Sequence, residues 1–312
     1  MLTKYQKLLG VSNMTTESAA IAVALNELPP QTSGVRRFFR VLLARKIVVI
    51  SLIILLTTVL AALFAPLIAP VDPYKQNLSH SLEKPTSTYL LGTDILGRDV
   101  LSRIIYGTRV SLIVGIVVVL IAGVLGITIG LVSGFFGGWI DTVLMRFMDA
   151  VIAIPMIVLA MAIGAVLGGG IVNVIIALGL AIVPSYARLM RGQVLSVKQS
   201  DYVIAGMLTG ISSIRNMIVH VLPNCISPLI VLITMNLGMA ILAEAGLSFL
   251  GLGIVPPGAS WGSMVNDGYR YLLTNPVLSL GPGIAIVIVV LAFNIVGDAL
   301  RDALDPRLRG AE

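Results

Sequence analysis

The sequence predicts an all-α membrane protein with six spans, and three observations carry that prediction. Apolar residues make up 57% of the 312 residues and charged ones only 12%, where soluble domains carry roughly 25% charged residues. The apolar residues gather into runs close to the length of about 20 residues that crosses a bilayer as a helix. The 21 Lys and Arg residues are unevenly divided between alternate connections, as expected when positive loops stay on the cytoplasmic side.

The runs place spans at about Ile47–Ala69, Val110–Val132, Val143–Leu167, Ile171–Leu189, Ile226–Leu250 and Pro282–Leu300. The prolines of "APLIAPVDP" end the first, because proline lacks the N–H that a helix needs. Pro155 lies within the third, and Pro184 falls near the end of the fourth. Six spans bring both termini to one side. That side holds 15 of the Lys and Arg residues, among them Arg36, Arg37, Arg40, Arg188, Arg191 and Lys198, against six on the other. Both termini are therefore expected in the cytoplasm, as a tail over 1–46 and another over 301–312 flanking a membrane domain over 47–300. The apolar stretch "AAIAVAL" in the first tail is too short for a signal-peptide core.

The net charge of +6 follows from this topology, so nucleic acid is not an expected partner. One cysteine, Cys225, excludes an intramolecular disulfide framework. Two distant histidines, His80 and His220, do not make a metal site. The chain has no Gly-Lys pair and so no phosphate-binding loop of the Walker type, no G-x-S-x-G elbow and no H-E-x-x-H zinc motif. No catalytic residue is expected, and no cofactor bound by this chain.

Several polar or patterned positions interrupt the apolar background. Ala122, Gly126, Gly130 and Gly134 recur every fourth residue in the second span, a stripe that lets helices approach closely. It suits packing within the chain or a seam with a second membrane subunit. Glu244 falls inside the fifth span, where an ionisable group is costly and faces protein or water. It suits a pathway role beside a cation, or a hydrogen bond between helices. Arg146 and Asp149 are spaced for an i, i+3 pair. Arg98, Asp99 and Arg103 precede the second span, as a solvated charge cluster, a docking surface or a scaffold at the outer mouth. Trp261, Tyr269 and Tyr271 sit near a membrane boundary, as interfacial anchors or, for Trp261, part of a gate.

The stretch "DYVIAGMLTGISSIRNMIVHVLP" (201–223) is too polar to span and too periodic to be idle. Val203, Ile204, Met207, Leu208 and Ile211 share one helical side, and Ile211, Ile214, Met217, Ile218 and Val221 continue the pattern after Gly210. Ser212 or Ser213 suits a helix cap, and the residue before Pro223 is biased away from helix, so a stop is expected there. Two short amphipathic helices with a glycine bend result. Each is shorter than the roughly 12–15 residues that stabilise an isolated helix. A partner groove, lipid headgroups or the chain's own surface must cover them.

This stretch resembles the cytoplasmic signature of binding-protein-dependent ABC importer permeases: a Glu-Ala-Ala triplet, a later glycine and a Leu-Pro ending. Here the triplet is Ile204, Ala205 and Gly206, the glycine is Gly210, and the ending is Leu222–Pro223. "LGTDILGRDVLSRIIYGTRVSL" (Leu91–Leu112), "EAGLSFLGLGIVPPGASWGSM" (Glu244–Met264) and "LAFNIVGDALRDALDPRLRG" (Leu291–Gly310) narrow the likeness. They resemble the C-type subunit of the dipeptide, oligopeptide and nickel group, over about residues 40–310.

The resemblance implies a type I importer transmembrane domain in a bacterial plasma (inner) membrane. It implies a homologous second permease, two ATP-binding subunits that use ATP and Mg, and an extracytoplasmic substrate-binding protein. The 201–223 module becomes the ATPase-docking element, through Tyr202, Ile204, Ala205, Gly206, Met207, Gly210, Ile211, Ile214, Met217 and Pro223. Arg98, Asp99 and Arg103 become an external docking candidate for the binding protein, with Glu244 and Trp261 candidates on the pathway. Ile204 replaces the signature's acidic residue, which removes one polar contact with an ATPase. The cargo is read as di- or oligopeptides, with nickel chelates or glutathione as alternatives. A secondary transporter and a membrane enzyme, the competing classes, lack respectively an internal repeat and a catalytic set.

Overall fold

A computed structural model describes residues 34–304, and among these every element is helical. The helices are α1 (Gly34–Leu42), α2 (Lys46–Leu63), α3 (Ala65–Ile68), α4 (Val100–Phe136), α5 (Gly138–Ile152), α6 (Met156–Leu167) and α7 (Ile171–Val197). Beyond these come α8 (Asp201–Leu208), α9 (Ser213–Asn216), α10 (Leu222–Phe249), α11 (Trp261–Tyr269) and α12 (Val277–Leu304). Residues 1–33 and 305–312, which include most of the expected tails and Arg307 and Arg309, lie outside the described residues. α1 belongs largely to a separate N-terminal unit that ends at Val41, and α2 onwards form one body.

Five helical stretches are long and apolar enough to cross a membrane, and a sixth exists if the bent pair α5 and α6 is one span. The pair turns by 87° at Pro155, the residue immediately before α6. A proline lacks the N–H for the preceding turn and crowds its carbonyl. The run expected as the third span, Val143–Leu167 with Pro155 inside it, is thus divided between two helices at that proline.

The second span is longer than expected. It begins at Val100 because Asp99 caps it, its carboxylate accepting the Ser102 N–H at 2.8 Å. It ends at Gly137, whose φ of +68° favours glycine. At 1.5 Å per residue its 37 residues reach about 55 Å, well past the hydrocarbon core of about 30 Å. Arg103 and Arg109 made its first turns look like loop.

The fourth span likewise runs on to Val197 and carries Pro184 inside it.

α4 and α7 form the central seam. A methyl added at Gly126 would lie 2.5 Å from Tyr186 Cβ, and one at Gly130 would lie 2.8 Å from Met190 Cβ. At Gly134 the obstacle is Val194 Cβ, 2.9 Å away. Ala122 is fully buried on the same face. The stripe is therefore consumed by packing within the chain, which removes it as a seam for a second subunit.

Polar ties close one end of the seam. Arg191 grips Asp141 with two bonds of 2.6 Å, and Lys198 Nζ donates to the Gly134 carbonyl at 2.9 Å. Asp149 pairs with Arg188 at 2.7 Å and not with Arg146. Bending at Pro155 lays α5 along α7, so the cross-helix partner replaces the one expected three residues away.

Candidate functional site

The 201–223 module sits beside the Lys198 end of this seam. α8 ends in a Schellman motif: the Ile211 N–H bonds the Gly206 carbonyl at 3.2 Å and the Gly210 N–H bonds the Met207 carbonyl at 3.3 Å. Gly210 takes the left-handed conformation this demands, with φ of +80°. Ser212 then caps α9, accepting from the Arg215 N–H.

Beyond α9 the structure departs from the expected pair of short helices. Residues Met217–Val221 form a π turn, in which the Leu222 N–H reaches back to the Met217 carbonyl. The helix then continues through Pro223, so Ser213–Phe249 is one apolar helical stretch of 37 residues. The expected stop at Leu222–Pro223 fails because Pro223 occupies the first turn of α10, where a missing N–H costs least. A π turn widens the helix, a distortion frequent at functional sites. The second half of the module is thereby the N-terminal start of the fifth span.

Asn216 holds the two halves together. It is fully buried, and its Nδ2 donates to the Val203 carbonyl at 3.0 Å. A methyl on Gly206 would lie 3.3 Å from Asn216 Oδ1, so the glycine in place of the signature's second alanine leaves room for this amide. Val203, Gly206, Met217 and Val221 face inward. Met217, expected at the docking surface, is instead core, because the π turn rotates it towards the bundle. Ile211 is half-buried, and Tyr202, Ile204, Ala205, Met207, Gly210 and Pro223 are exposed. Leu208, at 83% exposure, and Ile214, at 62%, project furthest among the apolar side chains. The periodicity puts Leu208 on one side with Val203 and not among the docking residues, whereas Val203 is buried and Leu208 exposed. Asn216 was not legible, since an asparagine in an amphipathic stretch reads as solvent-facing. Between α7, α10 and α12 at this end opens a groove of about 520 Å³, with Gln193, Asn224, Ser227 and Arg301 among its lining.

The opposite end of α4 and α10 is tightly built. Arg98 and Arg103 are 4% and 2% exposed, which corrects the expectation of an exposed external docking cluster. Asp94 accounts for this: its Oδ2 accepts from Arg98 Nε at 2.6 Å and lies 3.5 Å from Arg103 Nε. Its Oδ1 accepts the backbone N–H groups of Leu96 and Arg98, both at 2.9 Å. Asp99 is occupied as the cap of α4. Asp267 of α11 stands 3.9 Å from Arg98 Nη2. Partial burial at the rim holds the Asp267 carboxyl above its usual range, against the pull of Arg103 and Arg98. A cavity of about 200 Å³ lies here, bordered by Arg98, Arg103, Ser263, Asn266 and Asp267.

Trp261 is neither interfacial nor free to gate. It is 2% exposed, and its indole N–H donates to the Ile104 carbonyl at 3.0 Å. Gly107 makes space for the ring, since a methyl there would meet Trp261 Cδ1 at 2.9 Å. The segment read as a loop contains α11, started by a capping box between Ser260 and Ser263. Glu244 is fully buried against hydroxyls: Ser248 Oγ donates to it at 2.7 Å and Ser111 Oγ at 3.4 Å. Ser260 in turn reaches Ser248 at 3.4 Å. Of the two readings of Glu244, this is the hydrogen-bonded joint between helices.

Residues 126–310 match the family described as the binding-protein-dependent transport system inner membrane component. The chain belongs to this family. Residues 33–85 match the N-terminal transmembrane domain of oligopeptide transport permease C. A dipeptide transport system permease protein, DppC, of Alkalihalophilus pseudofirmus is 40% identical over 289 residues, covering 91% of this chain and 95% of the relative. DppC of Haemophilus influenzae is 42% identical, covering 83% and 90%. A glutathione transport system permease protein, GsiD, of Pectobacterium atrosepticum is 39% identical, covering 88% and 91%. As a member of the family, this chain is a multi-pass inner-membrane transport component and not an enzyme.

Proposed function

We propose that this chain is the C-type permease subunit of an ATP-driven importer of di- and oligopeptides. It pairs with a homologous permease, receives cargo from an extracytoplasmic binding protein, and docks cytosolic ATPases through residues 201–223. Both termini and the module lie in the cytoplasm. The observation that carries this reading is the module itself. It exposes Leu208 and Ile214 on a frame pinned by Asn216 and joined without interruption to α10. An apolar helix face of this kind suits a groove on a partner, and its continuity with a span gives movement of the partner a route into the membrane. ATP and Mg belong to the partner ATPases. The groove between α7, α10 and α12 supplies this chain's wall of the path.

The test is affinity purification from the native membrane with mass spectrometry of the proteins retained. A second permease and ATPases should accompany the wild-type chain, and Leu208→Asp with Ile214→Asp should release the ATPases while keeping the permease. Recovery of the chain alone, still moving solute without ATP, would overturn the reading. The glutathione permease relative favours glutathione as a second cargo. Competition between labelled glutathione and Ala-Ala for uptake separates the two.

A further inference from the structure

We propose that the polar cavity at the end of the bundle opposite the module is a carboxylate-exchange site. In it the C-terminal carboxylate of a short peptide replaces Asp267 beside Arg98 and Arg103. The inference rests on the peptide-permease reading and adds to it a specific subsite.

Two guanidinium groups are buried here, at 4% and 2% exposure, and a buried charge is tolerated only when paired and hydrogen-bonded. The two carboxylates that face them are held very differently. Asp94 is fixed by three hydrogen-bond donors on its own loop and by the ion pair with Arg103 of α4 at 3.5 Å. Asp267 is 44% exposed, and at 3.9 Å from Arg98 it is beyond hydrogen-bond distance. Arg103 Nη1 is buried and has no hydrogen-bond partner. The site thus holds two cations, one tightly bound carboxylate, one loose carboxylate at the rim and one donor unused.

A planar guanidinium is suited to a carboxylate, which it can grip with two parallel bonds. An incoming carboxylate that approaches Arg98 and takes up Arg103 Nη1 satisfies the donor that Asp267 leaves idle. The space of about 200 Å³ is well above what a single water needs and has room for a terminal carboxylate with its residue. Ser263 and Asn266 at the border offer hydrogen bonds to the last peptide unit. Displacement of Asp267 also removes one of the ties between α11 and the segment that starts α4, while the Trp261 bond to the Ile104 carbonyl remains. Occupancy of the cavity and the position of α11 are then linked.

The decisive measurement is calorimetric titration of the complete transporter in lipid nanodiscs, without the binding protein, using Ala-Ala, Ala-Ala amide and sodium acetate. Ala-Ala should bind at least tenfold more tightly than its amide, and acetate should compete with it. Asp267→Asn, at the exposed rim, should raise affinity for Ala-Ala severalfold and leave the amide unchanged. Arg103→Gln should abolish the preference for the acid. Equal binding of acid and amide, no binding of either, or no effect of Asp267→Asn would overturn the proposal. Tighter docking of the binding protein to Asp267→Asn, with no peptide binding, would also overturn it by assigning the carboxylate to that protein. ATP-driven uptake of Ala-Ala by the wild-type transporter is measured separately. If uptake occurs while acid and amide bind alike, only the cavity assignment fails.

Discussion

Glu244 and Asn216 are both polar and both buried, and each has a hydrogen-bond partner from another segment. Glu244 gathers the hydroxyls of Ser111 and Ser248, with Ser260 behind them, and so joins α4, α10 and the start of α11. Glu244→Leu strands those hydroxyls in the interior and is expected to cost about 1–3 kcal/mol, the penalty of buried groups left without a partner. Glu244→Gln keeps an acceptor and should remain close to wild type. Thermal unfolding of the solubilised transporter measures both. Loss of uptake by the Gln variant at unchanged melting temperature would instead place the carboxyl on the pathway. Asn216→Ala removes the bond to the Val203 carbonyl and should destabilise by about 1 kcal/mol. It should also leave ATP hydrolysis running without peptide uptake, because α8 is no longer pinned to the start of α10. Parallel hydrolysis and uptake assays on proteoliposomes check this, and tight coupling in the variant would contradict it.

At the scale of elements, the α4–α7 seam is the part where sequence spacing and packing agree most directly. Every fourth residue of α4 from Ala122 to Gly134 is small, and the backbone and Cβ atoms of α7 fill the space beside its glycines. Gly130→Leu therefore drives a side chain into Met190 and the Ala187 backbone. Overpacking typically costs about 1–3 kcal/mol, and here rigid backbone lies in the way, so the top of that range is expected. Fluorescence-detected size exclusion during a temperature ramp would show it as a lowered melting temperature. The same substitution at Gly192, which has open space around it, serves as the control. The ends of elements were less legible. α4 starts ten residues before its apolar run because a cap, not hydrophobicity, sets a helix start. α10 passes Pro223 because a π turn precedes it.

For the whole molecule, the orientation argued from Lys and Arg has a direct test. Cys225 is fully buried, so a membrane-impermeant maleimide should leave the native chain unlabelled in intact cells. Leu273→Cys, at a position 99% exposed between α11 and α12, should label from outside. Leu208→Cys should label only after the membrane is opened. Labelling of Leu208→Cys in intact cells would invert the topology and remove the module from the ATPases' side.

The amino-acid sequence by itself determined the class of molecule, the apolar core of each span, the small-residue stripe and the place of the module. These depend on composition and on periodicities of three to four residues, which are local properties of a chain. Only the tertiary structure decided which polar residues meet: Asp94 with Arg98 and Arg103, Asp149 with Arg188, Glu244 with Ser111, Trp261 with the Ile104 carbonyl. It also turned Met217 inward and left Leu208 outward. Burial of a charge or an indole depends on partners brought from distant segments, and linear spacing carries no record of them.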